Sequence, residues 1–120
     1  MSGHNEGTWL RFRALRTWWQ KLRGLLGTSP AARPVVLCGC SSIHTVGMRY
    51  PLDVALVSGK GTVLACERGV PAGRVVSAAG AWYAFERPSG EDGAPWPATG
   101  QKVHVEEQAE AVLLKLGQEE

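Results

Sequence analysis

The chain reads as a mainly β protein of the β-rich α+β kind. The expected architecture is a single-domain antiparallel β-sandwich or small barrel, with an N-terminal amphipathic helix and a short C-terminal helix. Three observations predict it. The middle of the chain breaks into six or so short apolar runs separated by turn residues. Glycine (15) and proline (7) are frequent for 120 residues, which favours short elements and many turns. The two ends instead repeat apolar residues at steps of three and four. With 44% hydrophobic and 20% charged residues the composition excludes a disordered, collagenous or disulfide-stapled class. The length supports one core.

Residues 1–7 are small and polar and read as a flexible tail, leaving 8–120 as one β-rich domain. Thr8 is the expected N-cap of a helix over 8–26, with Trp9, Phe12, Leu15, Trp19, Leu22 and Leu26 in one stripe widened by Trp18 and Leu25. Gly24 weakens its last turn by about 1 kcal/mol relative to alanine, and Gly27 before Thr28-Ser29-Pro30 stops it. The β core is expected over 34–106, beginning with strands at 34–40, 53–58 and 61–67. The clearest hairpin turns through Ser58-Gly59-Lys60-Gly61, where Gly59 and Gly61 supply positive φ at low cost. Both of its strands are apolar at nearly every position, so both faces should be covered. Residues 70–76, 79–88 and 101–107 read as further strands. The proline- and glycine-rich loop between the last two is anchored on the domain by Trp96. A C-terminal helix is expected over 106–117, with Ala109, Val112, Leu113 and Leu116 apolar.

The formal charge of +2 hides an asymmetry. Residues 1–27 carry five basic groups against Glu6 alone, and residues 103–120 carry Lys115 against five glutamates. Such ends attract each other or steer an anionic partner. There is no recognised nucleic-acid-binding motif and the chain outside the basic segment 1–27 is net negative, so nucleic acid is not an expected partner. Arginines interrupt every early apolar run, and no stretch approaches the roughly 20 apolar residues of a spanning helix. Three cysteines, two of them a C-x-C pair on a strand, fit a reduced, cytoplasmic chain better than a disulfide. The basic, tryptophan-rich segment 8–26 also fits a peripheral membrane surface. Arg16, Trp18 and Trp19 fit a protein partner, because adjacent helix positions cannot both face a core.

Several segments resemble a known family. Arg23-Gly24-Leu25-Leu26, then the stretch Cys40 to Val54 (CSSIHTVGMRYPLDV), Gly61-Thr62-Val63, and Ala81 through Glu86 to Pro88 and Gly90 are similar to the motifs of domain of unknown function 192. The likeness covers about residues 15–106 and is most specific from His44 to Asp53. It implies a compact β-rich domain and no defined activity. Where members usually end in a longer segment of the pattern G...GD.V, this chain has Gly100-Gln101-Lys102-Val103, without the aspartate.

Residues able to carry chemistry cluster in that stretch. Cys40, His44 and Asp53 are the types of a nucleophile, base and orienting carboxylate, and are the candidate catalytic residues. No electropositive site or helix N-terminus is visible to activate the thiol. Cys38, Cys40 and His44, with Cys66, resemble a soft-metal set, but zinc pairs are normally C-x₂₋₄-C, so no metal is expected. No cofactor motif is present and none is expected. Pro51 forces a bend, beside which His44, Thr45 and Asp53 are suited to hydrogen-bond freed backbone groups. A small ligand would be held at this polar corner by His44, Thr45, Arg49, Tyr50, Asp53 and Glu86. The reading favoured by the sequence is a non-enzymatic binding or accessory domain for a protein partner or small ligand. A thiol- or metal-dependent enzyme and a peripheral membrane protein are the alternatives.

Overall fold

The computed structural model describes residues 8–17, 20–21, 24–90 and 94–116. Nine strands build it: β1 (Thr8–Leu15), β2 (Val35–Cys38), β3 (Ser42–His44), β4 (Leu52–Ser58), β5 (Val63–Val70), β6 (Val75–Ser77), β7 (Ala81–Pro88), β8 (His104–Glu107) and β9 (Ala111–Leu116). Seven form one sheet in the order β5-β4-β7-β2-β1-β9-β8, and β3 pairs with β6 in a separate ribbon. Among the described residues only β1 and β2 run parallel. The large sheet curls into a half-barrel. Residues 100–103, leading into β8, bend back onto the start of β5 at the opposite edge. There Gly100 N–H donates to Val63 O (2.8 Å), Val63 N–H to Gln101 O (2.9 Å) and Val103 N–H to Gly61 O (2.8 Å). The mainly β class expected from the sequence is present.

Neither expected helix is found among the described residues. Residues 8–15 are strand β1, bonded to β2 on one side and β9 on the other. The steps Trp9, Phe12, Leu15 fit a helix, but the segment also alternates: Leu10, Phe12 and Ala14 pack into the curl while Trp9, Arg11 and Arg13 face out. Two flanking strands and a buried phenylalanine decide the ambiguity, as tertiary context commonly does for aromatic-rich runs. At the other end, residues 104–107 and 111–116 are the hairpin β8–β9, in which Val112, Leu114 and Leu116 point inward. Spacing of three in a short apolar run cannot by itself separate helix from strand.

Helical bonding does occur between β1 and β2. Lys21 N–H donates to Thr17 O and Gly24 N–H to Gln20 O, both at 2.9 Å, and Thr17 Oγ1 caps the turn by accepting from Gln20 N–H (3.1 Å). Thr17, not Thr8, is thus the capping residue. Gly24 has φ of +49°, so it ends this turn instead of lying inside a helix. The expected tail 1–7 and the stripe residues Trp18, Trp19 and Leu22 lie outside the described residues.

Two apolar cores sit on the two faces of the sheet. Inside the curl, Phe12, Val57, Tyr83, Phe85, Val112 and Leu114 pack together, with Phe12 and Phe85 edge to face at 4.7 Å. On the outer face, Leu37, Leu52, Val54, Leu56 and Ala84 pack under Ile43 and Val76 of the ribbon and Leu25 and Met48 of the connecting segments. Of the β4–β5 hairpin, β4 is covered on both sides, as its unbroken apolar sequence predicts, whereas β5, at the edge of the sheet, is half-buried over residues 64–67 and exposed at Arg68 and Gly69. Of its two turn glycines, Gly61 adopts positive φ (+93°) and Gly59 does not.

Candidate functional site

Along β7, side chains alternate between the cores: Tyr83 and Phe85 enter the curl, while Ala84 and Glu86 face outward. Glu86 therefore lies mid-sheet, with Val35 of β2 and Val54 of β4 directly beside it. The cover over this face leaves a pocket of about 270 Å³. Its apolar wall is formed by Leu25, Leu26, Leu37, Ile43, Met48 and Leu52, and its polar groups by Lys21, Cys40, Ser42, His44 and Glu86. Leu25, Ile43, Leu52 and Glu86 are buried, whereas His44 is exposed.

Glu86 is 4% exposed. Among the described residues no hydrogen bond or ion pair reaches its carboxylate, and burial pushes its pKa up from 4.5 to about 7. The backbone of the connecting segment comes close to it: a Cβ on Gly24 would lie 3.5 Å from Glu86 Oε1. Lys21, on the capped turn, donates from Nζ to Cys38 O (3.0 Å) and so ties that turn to the end of β2. Cys40 donates from Sγ to Ser42 O (3.0 Å). The amides of Gly39 and Cys40 both bond Trp82 O (2.7 and 3.1 Å), holding this wall against β7.

The structure brings together three of the residues singled out from sequence, Cys40, His44 and Glu86, and separates the others from them. Asp53 lies on β4 between Leu52 and Val54, which face the outer core, and so points to the opposite side of the sheet. There it accepts from Ser89 Oγ (2.6 Å), Arg87 Nε (3.0 Å) and Gly69 N–H (3.0 Å). Burial opposes its ionisation, but these bonds and the Arg87 charge outweigh burial and hold its pKa below the usual carboxylate value. Asp53 is thus a strand-to-strand tie, and Cys40, His44 and Asp53 do not converge on one point.

Thr45 is fully buried, its hydroxyl donating to Pro71 O (2.7 Å) and accepting from Arg74 N–H (2.8 Å), which joins the 45–48 turn to the 71–74 turn. Tyr50 is buried with its hydroxyl bonded to Thr28 Oγ1. Arg49 is exposed and does not line the pocket. Arg16 clamps the β8–β9 turn, reaching Gln108 O (2.6 Å), Ala109 O (3.4 Å) and Glu107 Oε2 (3.2 Å). The attraction between oppositely charged ends is realised there. Trp18 and Trp19 lie outside the described residues. The membrane reading drew on a helix over 8–26, of which residues 8–15 are an interior strand; among the described residues no helix is long and apolar enough to cross a membrane.

The cysteines are dispersed. Cys38 faces the curl, and Cys66 donates to Pro97 O (2.8 Å); burial pushes both thiols up. Among the described residues no three metal-ligating side chains cluster. Trp96 is a loop anchor, its indole N–H donating to Val54 O (3.4 Å) under the Arg87 guanidinium (4.3 Å from the ring centre). Lys21, Gly24 and Leu25 were not expected in a site, because the helical pattern assigned them to a docked or wet face.

No family model matches the chain, and no curated protein matches it. Among solved structures it is similar to the crystal structure of a protein of unknown function from Novosphingobium aromaticivorans, at 18% identity and a TM-score of 0.56. The likeness is one of fold. It covers 66% of this chain and 64% of that protein, so the match spans less than two thirds of either.

Proposed function

We propose that this chain is a small-ligand-binding domain, acting through the outer-face pocket and without covalent chemistry of its own. The observation that carries the reading is the pocket with Glu86 in it: an apolar wall with a few polar groups, one of them a buried carboxyl that no described residue satisfies. Buried polar groups are almost always hydrogen-bonded, so one left open onto a cavity marks a place for a ligand. A catalytic reading through Cys40 and His44 lacks its third member, since Asp53 is engaged on the other face of the sheet. On the motif residues Arg23 to Leu26, Cys40 to Val54 and Glu86, we also propose membership of the domain-of-unknown-function-192 family, which brings no activity with it.

The test is an amide-resolved NMR titration with two neutral probes, hexanol and benzyl alcohol. Shifts concentrated at residues 24–26, 37–48, 52 and 86 are expected. Shifts centred on the Trp9 surface, or spread over the chain with no centre, would refute the reading.

A further inference from the structure

The chemistry of the pocket narrows its ligand. Ionised Glu86 has Val35 and Val54 beside it on the neighbouring strands, and shares the pocket lining with Gly24, where an added Cβ would lie 3.5 Å from its Oε1. Among the described residues the other titratable groups lining the pocket are Lys21, Cys40 and His44. Lys21 is committed to the Cys38 carbonyl, and His44 is exposed. A carboxylate in such surroundings is poorly solvated, and a positive charge brought to it recovers more than a neutral hydrogen-bond donor does. A second carboxylate would be repelled. The volume of about 270 Å³ lies at the small end for ligand pockets, and most of the wall is aliphatic.

We propose that the pocket takes a small aliphatic amine, its hydrocarbon body against Leu25, Leu37, Met48 and Leu52 and its ammonium group against the Glu86 carboxylate. This rests on the ligand-binding reading above and adds to it the sign of the ligand's charge. Binding is coupled to the proton on Glu86: with a pKa of about 7, the carboxyl must give up about 0.9 of a proton to accept a cation at pH 6, and about 0.1 at pH 8.

Three probes of equal length separate the outcomes: hexylamine, hexanol and hexanoate, titrated at pH 8 and followed by the amides of Leu25, Leu37 and Glu86. Aliphatic amines stay protonated there, as lysine does. Hexylamine is expected to bind at least tenfold more tightly than hexanol, with hexanoate weakest. Its affinity should fall about tenfold between pH 8 and pH 6. Glu86→Gln should lose the preference for the amine and retain hexanol. Calorimetry of the unaltered chain at pH 6, in two buffers of different ionisation enthalpy, should show proton release with hexylamine and none with hexanol; this holds whatever the variant's folding. Hexanol or hexanoate binding as tightly as hexylamine, or amine binding without proton release, overturns the cation assignment and leaves the pocket reading standing. Silence from all three overturns both.

Discussion

Replacing Glu86 by glutamine removes a titratable group and little else, so it isolates the consequence of burying this carboxyl. In the folded chain the pKa rises from 4.5 to about 7. A raised folded-state value means that the folded chain holds the proton while the unfolded chain has released it. Stability from this group is therefore full below about pH 4.5, declines as the pH rises towards 7, and is flat above. At about 1.4 kcal/mol per pKa unit the loss is roughly 3 kcal/mol at pH 8 and about 1 kcal/mol at pH 5. Glutamine keeps the shape, cannot ionise and escapes the loss. Urea denaturation should show Glu86→Gln more stable than the parent, by a margin that grows by about 2 kcal/mol from pH 5 to pH 8 with an unchanged slope. The paired difference cancels every other titration in the chain. A margin equal at both pH values, or a variant less stable at pH 8, would mean that the carboxylate has a favourable partner, and would remove the ground for a cationic ligand.

Gly61 has φ of +93°, and a Cβ there would collide with the Val103 carbonyl. Gly61→Ala should cost about 2 kcal/mol or more by urea denaturation, and a change under about 0.5 kcal/mol would show that the 100–103 segment does not close the sheet here. Asp53→Asn keeps the shape but removes the anion that Arg87, Ser89 and Gly69 surround, so a loss of about 3 kcal/mol is expected near neutral pH. Because the folded pKa of Asp53 is lowered, its contribution is present above the unfolded carboxylate value and disappears as the pH falls through the folded one. The parent and the variant should therefore converge in strong acid; a gap that persists there would refute the ion-pair account. Thiol labelling at pH 8 should modify Cys40 first, since burial raises both Cys38 and Cys66, and mass mapping that found either of those labelled first would contradict the placement of the three cysteines.

The class of the fold was legible because its evidence is local. Val54 to Val57 and Val63 to Cys66 are short, wholly apolar runs joined by a turn in which only Gly61 adopts positive φ. Their unbroken apolar character implied cover on both faces, which β4 has and the edge strand β5 has only in part. The ends misled because a short run carrying residues at steps of three can also alternate. Leu10-Arg11-Phe12-Arg13-Ala14 and Val112-Leu113-Leu114-Lys115-Leu116 satisfy both periods. What selects the strand is the presence of β2 and β9 beside β1, the first about twenty positions along the chain and the second about a hundred. No window along the chain contains that information. Arg16 is the exception, since the opposite charges of the two ends pointed to an attraction, and Arg16 supplies it to Glu107.

The candidate site shows the same division in sharper form. Cys40, His44 and Asp53 stood out by residue type, yet type says nothing about which side of a strand a residue occupies. One position of register puts Asp53 on the face opposite to Leu52. Glu86 and Asp53 are both buried acids of the same sheet, on adjacent strands and opposite faces. Asp53 has three hydrogen-bond donors, one of them an arginine, and its ionised form is favoured. Among the described residues Glu86 has valines beside it, a cavity in front and no hydrogen-bond donor, and its neutral form is favoured. An apolar residue at position 86 would pack against Val35 and Val54 without that cost. Local rules fail most tellingly where a site demands it, and the contrast between these two carboxyls singles out Glu86, through its surroundings alone, as the group that a bound cation would complete.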